Sequence, residues 1–198
     1  DVQLYEEYPS SYIADIQRRH RWIRGDWQIA SWFTPFVPGA DKRLHKNPLS
    51  ALSKWKIFDN IRRSLVPVSL LAILLTGWIV LKNPVFWSLT IVGIIFLPTI
   101  INFSWQLFRK PSDVLFIQHL IYTSRSLKDS LIQHVISIAC LPYEAYINTH
   151  AILLTTWRMV ISRKKLLQWN PSGNYQFNPK GIISVYKKMW FAPFLAVV

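Results

Sequence analysis

Cysteine, glycine and acidic side chains are all scarce in this 198-residue chain: one cysteine, six glycines, and ten Asp or Glu against 23 Lys or Arg. The single Cys140 excludes an intramolecular disulfide framework and a cysteine-rich zinc site. It lies in an apolar run, which predicts a buried, inert thiol. No glycine-rich phosphate loop occurs, and no Ser-His-Asp arrangement follows from the spacings. His119, His134 and His150 match no metal-ligand spacing and are read as interfacial or hydrogen-bonded core residues. There is no internal repeat, no low-complexity tract and no N-terminal signal pattern, so membrane insertion would depend on internal segments. The chain opens on Asp1-Val2-Gln3 without Met and is expected to be part of a longer protein.

Apolar residues, by contrast, make up 51% of the chain and lie in blocks. Blocks of this kind point to a membrane. A formal charge of +13 is compatible with nucleic acid, anionic lipid or a positive-inside bias on cytoplasmic loops. The blocks favour the last two, so membrane lipid is an expected partner and nucleic acid is not.

Residues 1–38 hold half of the acidic residues and many aromatics, as suits the end of a soluble domain. Pro9, Ser10 and Ser11 can open and cap a helix that continues to Ile23. Gly25 is expected to loosen or end it, with a second short helix from Trp27 to Phe33 and a turn at Pro38-Gly39-Ala40-Asp41. Residues 39–63 are basic with interspersed Leu, Ile, Phe and Trp55, which reads as an interfacial helix. Residues 64–107 form two uncharged runs separated by Lys82-Asn83-Pro84, a transmembrane hairpin. Pro67 and Pro98 inside it are tolerable in spans. Arg62-Arg63 before it and Arg109-Lys110 after it place both ends in the cytoplasm.

Residues 108–169 are read as amphipathic interfacial helices broken at Pro142. Two further spans there would carry Glu144 to bilayer depth, at a cost of about 2.5 to 3.5 kcal/mol. Glu144, flanked by Tyr143 and Tyr146, is assigned to burial against a neighbouring helix in preference to contact with a sugar chain. Arg163-Lys164-Lys165 is a lipid-facing cluster. Residues 170–186 are a loop, and residues 187–198 the start of a further span. The expected fold is mainly α: the last helices of a cytoplasmic domain, then a transmembrane hairpin and interfacial amphipathic helices.

The densest chemistry lies in Arg18-Arg19-His20-Arg21-Trp22-Ile23-Arg24-Gly25-Asp26-Trp27-Gln28. Arginine supplies a rigid fork suited to phosphate, and tryptophan a flat face suited to a sugar ring. Together they suggest a nucleotide-sugar. Arg18, Arg21, Trp22, Arg24, Asp26, Trp27 and Gln28 are therefore the candidate substrate-binding residues.

Arg18-x-x-Arg21-Trp22 before a membrane hairpin resembles the Gln-x-x-Arg-Trp signature of processive membrane glycosyltransferases, with Arg18 in place of Gln. The longer string from Arg18 to Gln28 is similar to the cyclic beta-1,2-glucan synthases. So are Asp1-Val2-Gln3-Leu4-Tyr5-Glu6-Glu7-Tyr8-Pro9 and Leu166-Leu167-Gln168-Trp169.

The resemblance implies a multi-pass protein of the bacterial inner membrane whose cytoplasmic side polymerises glucose from UDP-glucose. Arg21 would contact the diphosphate and Trp22 would stack under the acceptor sugar of the growing glucan. Such transferases hold a divalent metal, Mg or Mn, through Asp-x-Asp, and that motif is absent here. The metal ligands and the catalytic base are thus expected in other domains of the same polypeptide, and catalysis by this stretch alone is not expected. Asp1, Glu6, Glu7 and Asp15 read as surface or capping carboxylates. A synthase of another polysaccharide and a non-catalytic membrane anchor for a partner protein are the competing functions.

Overall fold

A computed structural model describes residues 12–39, 41 and 43–166. Four helices dominate: α1 (Tyr12–Gln28), α2 (Ala51–Ile79), α3 (Pro84–Phe108) and α4 (Phe116–Trp157). The only strands among the described residues are the short β1 (Phe36–Pro38) and β2 (Leu44–Lys46), paired antiparallel with Val37 opposite His45. The mainly α expectation holds. The expected loop at 170–186, the further span at 187–198 and the capping residues Pro9 to Ser11 lie outside the described residues.

The chain divides into two compact units. One contains residues 1–68 and 143–198, the other residues 69–142. In the first, α1 buries Ile16 and Ile23. Gly25 does not end this helix, contrary to expectation. An interior glycine costs roughly 1 kcal/mol relative to alanine, but residues on its far side are held from elsewhere. Trp27 Nε1 donates to Ser64 Oγ (3.0 Å), and Asn60 Nδ2 donates to Asp26 (3.0 Å). The second short helix is a single 3-10 turn, Ala30–Phe33. Asn47 fastens it by donating to the carbonyls of Trp32 and Thr34.

The basic stretch and the first predicted span are one helix, not two elements. Ser50 caps α2 by accepting the Ser53 N–H at 3.2 Å, and the helix then runs past Arg62 and Arg63 without a break. Nothing between residues 51 and 79 breaks its periodicity except Pro67, which the helix accommodates.

In the second unit, Leu70 of α2, Ile91 of α3 and Leu141 of α4 form an apolar cluster with Leu74 and Ile95 against it. Asn83, in the left-handed conformation (φ 67°), turns the chain from α2 into α3. α2 and α3 are each long and apolar enough to cross a membrane, and most of the apolar side chains of α3 point outward. At 1.5 Å per residue the 25 residues of α3 exceed the ~30 Å of a hydrocarbon core. Polar contacts join α3 to the first part of α4 in antiparallel order: Thr99 to His134 (2.6 Å) and the Gln106 carbonyl to His119 (3.0 Å). Such bonds act as interhelical glue in an apolar setting.

α4 corrects the expectation of two helices broken at Pro142, because it is continuous for 42 residues. An interior proline costs about 3 kcal/mol. Here Leu141 is anchored in the apolar cluster on one side of it, and Tyr143 and Ala145 are buried on the other. Packing on both sides therefore offsets the lost backbone bond. Beyond Trp157 the helix loosens into one π-helical turn, Arg158–Ser162, closed by Arg163 in the left-handed conformation. Cys140 is half-buried rather than fully enclosed.

Candidate functional site

The Arg-Trp motif lies on α1, in the unit formed by residues 1–68 and 143–198. Three neighbouring segments of that unit hold this helix: the first turns of α2, the last turns of α4, and the chain just after α4.

Ser64 is the central contact. It is 4% exposed, accepts Trp27 Nε1, and donates its own hydroxyl to the Ile61 carbonyl (2.6 Å). Its carbonyl accepts Asn148 Nδ2 from α4 at 2.8 Å. Nearby, Glu144 accepts from Arg19 Nη2 (3.0 Å) and from the Tyr12 hydroxyl (3.3 Å). Burial disfavours the Arg19 charge, but the hydrogen bond and the charge of Glu144, with a further contribution from Asp15, outweigh it and raise the Arg19 pKa. Glu144 does lie against a neighbouring helix, α1, as expected, but it is half-buried rather than fully enclosed. His20 stacks on His150 with ring centroids 5.3 Å apart, and their ring nitrogens are 3.1 Å apart. Burial, then the neighbouring His150 and Arg24, lower the His20 pKa to about 4, so its ring is neutral at pH 7.

Around this docked core the candidate residues separate. Arg18 and Trp22, one turn apart, come together: the Arg18 guanidinium carbon is 4.8 Å from the Trp22 ring centroid. Asp15 steadies that guanidinium at 3.0 Å. Trp22 remains half exposed, so Arg18 covers part of the indole and a surface is left open. A cation over an indole face contributes about 0.5 to 1 kcal/mol at an exposed site. Arg21 is half-buried beside Trp22.

Asp26, Trp27 and Gln28 do something else. Asp26 accepts from Asn60, Trp27 donates to Ser64, and Gln28 Nε2 donates to the Leu166 carbonyl at 2.8 Å. Burial raises the Asp26 pKa, against the opposing pull of Asn60 and Arg63. These three side chains are occupied in holding α1. Burial, and then the like charge of Arg158 near the end of α4, lower the Arg24 pKa.

Sequence reasoning did not single out Asn60, Ser64 or Asn148. A signal for Asn148 existed: Glu144, Asn148, Ala151 and Thr155 recur at helical spacing, and Ala151 and Thr155 are almost fully buried. Polar residues on a buried helical stripe require partners from another element.

Among the described residues no group of three or more His, Cys, Asp or Glu side chains converges on one point. His119, His134 and His150 are each hydrogen-bonded to protein, as expected. The carboxylates Asp15, Asp26 and Glu144 near the motif are all engaged by protein donors. Among the described residues the side chains near the motif do not fit a divalent metal.

No family model matches the chain. Over its whole length it is 31% identical to a stretch of the cyclic beta-(1,2)-glucan synthase NdvB of Rhizobium meliloti (strain 1021). The resemblance carried by the motif residues therefore extends along the entire chain, which spans 7% of that relative's length.

Proposed function

We propose that this chain is the part of a membrane glucan synthase that links the cytoplasmic active site to the membrane, in an enzyme that polymerises glucose from UDP-glucose into cyclic beta-1,2-glucan. The observation that carries the reading is the braced, half-exposed Trp22 beside Arg21, on a helix docked a short distance before two helices long enough to span a membrane. The whole-chain similarity to a protein named as such a synthase supports it.

In this reading the open surface of Trp22 carries the acceptor sugar. A flat indole suits the C–H face of a pyranose, and Arg18 fixes its tilt. Arg21 binds the diphosphate of UDP-glucose and stabilises the charge that builds on it as the glucosyl bond breaks. Contacts of this kind act in the transition state, where a single donor is worth roughly 2.7 to 4 kcal/mol. The acceptor 2-hydroxyl attacks with inversion, and its proton goes to a base on another domain. A divalent metal, Mg or Mn, also belongs to residues outside this stretch, and no step here is assigned to it. The reading places the protein in the bacterial inner membrane, with α1 on the cytoplasmic side.

The test uses the full-length protein in membranes. Arg21→Ala is expected to lower glucose incorporation from UDP-glucose by about 100-fold or more. Trp22→Ala should lower it mainly through weaker acceptor use, and membrane insertion should be unchanged in both. If incorporation survives the double substitution, both roles are wrong and the non-catalytic anchor gains support. Linkage analysis of the product addresses the remaining rival: a 1,4-linked polymer would end the beta-1,2 assignment.

A further inference from the structure

Two arginines that sequence places 134 positions apart meet near the end of α4. Arg24 lies one turn before Gln28 on α1. Gln28 holds the Leu166 carbonyl at 2.8 Å, and Arg158 Nη1 holds the preceding carbonyl, that of Lys165, at 3.2 Å. Through these consecutive carbonyls the fold brings Arg24 and Arg158 to the same place, close enough for their charges to repel. Among the described residues neither has an ion pair with a carboxylate, whereas Arg18, Arg19, Arg62 and Arg63 each do. Arg24 Nε is buried without an acceptor.

A fold that holds two guanidinium groups together and leaves a buried donor unanswered is suited to an anion with several acceptor oxygens. The surroundings select among anions. Trp157, Val160 and Ile161, on either side of Arg158, are each more than half exposed. Arg163, Lys164 and Lys165 follow immediately and are exposed. Apolar side chains, an exposed Trp and a basic run at a helix end are the composition of a membrane interface.

We infer that Arg24 and Arg158 form a built site for the phosphate of an anionic phospholipid headgroup, with Trp157, Val160 and Ile161 seated in the adjoining acyl boundary. The bound headgroup would bridge α1 to the end of α4 and relieve the repulsion between the two arginines. An anionic lipid would thereby be a structural ligand of the motif helix and not only a diffuse attraction. The inference rests on the membrane setting proposed above and is independent of glucosyl transfer.

The experiment places the full-length protein in nanodiscs of phosphatidylcholine containing a minor share of phosphatidylglycerol, and counts the lipids retained on gentle extraction by native mass spectrometry. The wild-type protein should retain phosphatidylglycerol preferentially. Arg24→Gln and Arg158→Gln should each lower that retention about fivefold, the loss typical of one basic residue at an anionic surface. Arg158→Lys, which keeps the charge, should lower it less. An equal loss from Lys164→Gln would overturn the site in favour of diffuse attraction. Arg158-dependent binding of inorganic diphosphate in discs of phosphatidylcholine alone, without any phosphatidylglycerol preference, would overturn the headgroup assignment. Failure to enter nanodiscs would instead count against the membrane setting itself.

Discussion

Replacing Glu144 by alanine tests whether α1 is presented by its docking or merely lies where the chain leaves it. The carboxylate is 17% exposed and the Arg19 side chain 36%, so their 3.0 Å pair is neither buried nor free in water. Truncating one partner of a fully buried pair costs about 3 to 5 kcal/mol, and an exposed pair contributes about 0 to 1. An intermediate pair that also loses the Tyr12 hydrogen bond should cost about 2 kcal/mol. Since 1.36 kcal/mol is a factor of ten, local opening of α1 should rise roughly 30-fold. Hydrogen exchange of α1 amides in the full-length protein measures this directly. Glu144→Gln keeps an acceptor oxygen for Tyr12 and Arg19 and should raise exchange by less than Glu144→Ala. Unchanged exchange in Glu144→Ala would refute the argument, because α1 would then be held without this contact.

Two further perturbations probe the two compact units separately. His20, with its pKa lowered to about 4 against an unperturbed 6.5, stays neutral in the folded protein while the unfolded chain takes up a proton. Its contribution is complete above pH 6.5 and is lost as the pH falls from there toward 4. The full shift corresponds to about 3.4 kcal/mol, and partial exposure of the ring reduces the expected effect to about 1 to 2. Thermal melting at pH 7 and pH 5 should therefore differ more for the wild type than for His20→Phe, and equal differences would count against the neutral stacked pair. In the second unit, a Cβ on Gly77 would lie 2.5 Å from the Cβ of Trp87, whereas one on Gly93 would meet nothing within 4 Å. Gly77→Ala should destabilise the α2–α3 hairpin by about 1 to 3 kcal/mol, while Gly93→Ala should be neutral or stabilising; similar melting temperatures for the two variants would remove the close approach.

The pair of long apolar helices, α2 and α3, was the most legible part of the fold, because long uncharged runs and a three-residue turn carry the signal within themselves. Element boundaries were less legible. Gly25 and Pro142 both carry breaker chemistry, and both lie inside continuous helices. In each case the local cost of roughly 1 to 3 kcal/mol is offset by contacts from residues far away in sequence: Ser64 for the turn after Gly25, and packing on both sides of Pro142. A reading taken one element at a time cannot weigh such contacts. The same limit hid the partners of α1. Arg19 and Glu144 are 125 positions apart, and Ser64 and Asn148 are 84 apart.

The candidate residues were chosen for their chemistry, and their adjacency in sequence was misleading as geometry. Eleven consecutive residues rich in Arg and Trp suggest one cluster, but on a helix each residue turns 100° from the last, so such a run encircles the axis. The docking of α1 divides it. Ile16, Ile23 and Trp27 take the inner side, Asp26 is bonded to α2, and Gln28 to the chain after α4. Arg18 and Trp22, four residues apart, are left together with an open surface, and Arg24 lies within the electrostatic reach of Arg158. The motif therefore combines three tasks that sequence adjacency merged: holding the helix, presenting an aromatic platform, and offering a cationic edge. Substitutions should separate along the same lines. Changes at Asp26, Trp27 or Gln28 should loosen α1 and lower activity in proportion to that loosening, whereas a change at Trp22 should alter acceptor use with α1 exchange unchanged. A Trp22→Ala variant whose α1 amides exchange as fast as those of Trp27→Ala would mean that Trp22 is a packing residue and would remove the platform from the site.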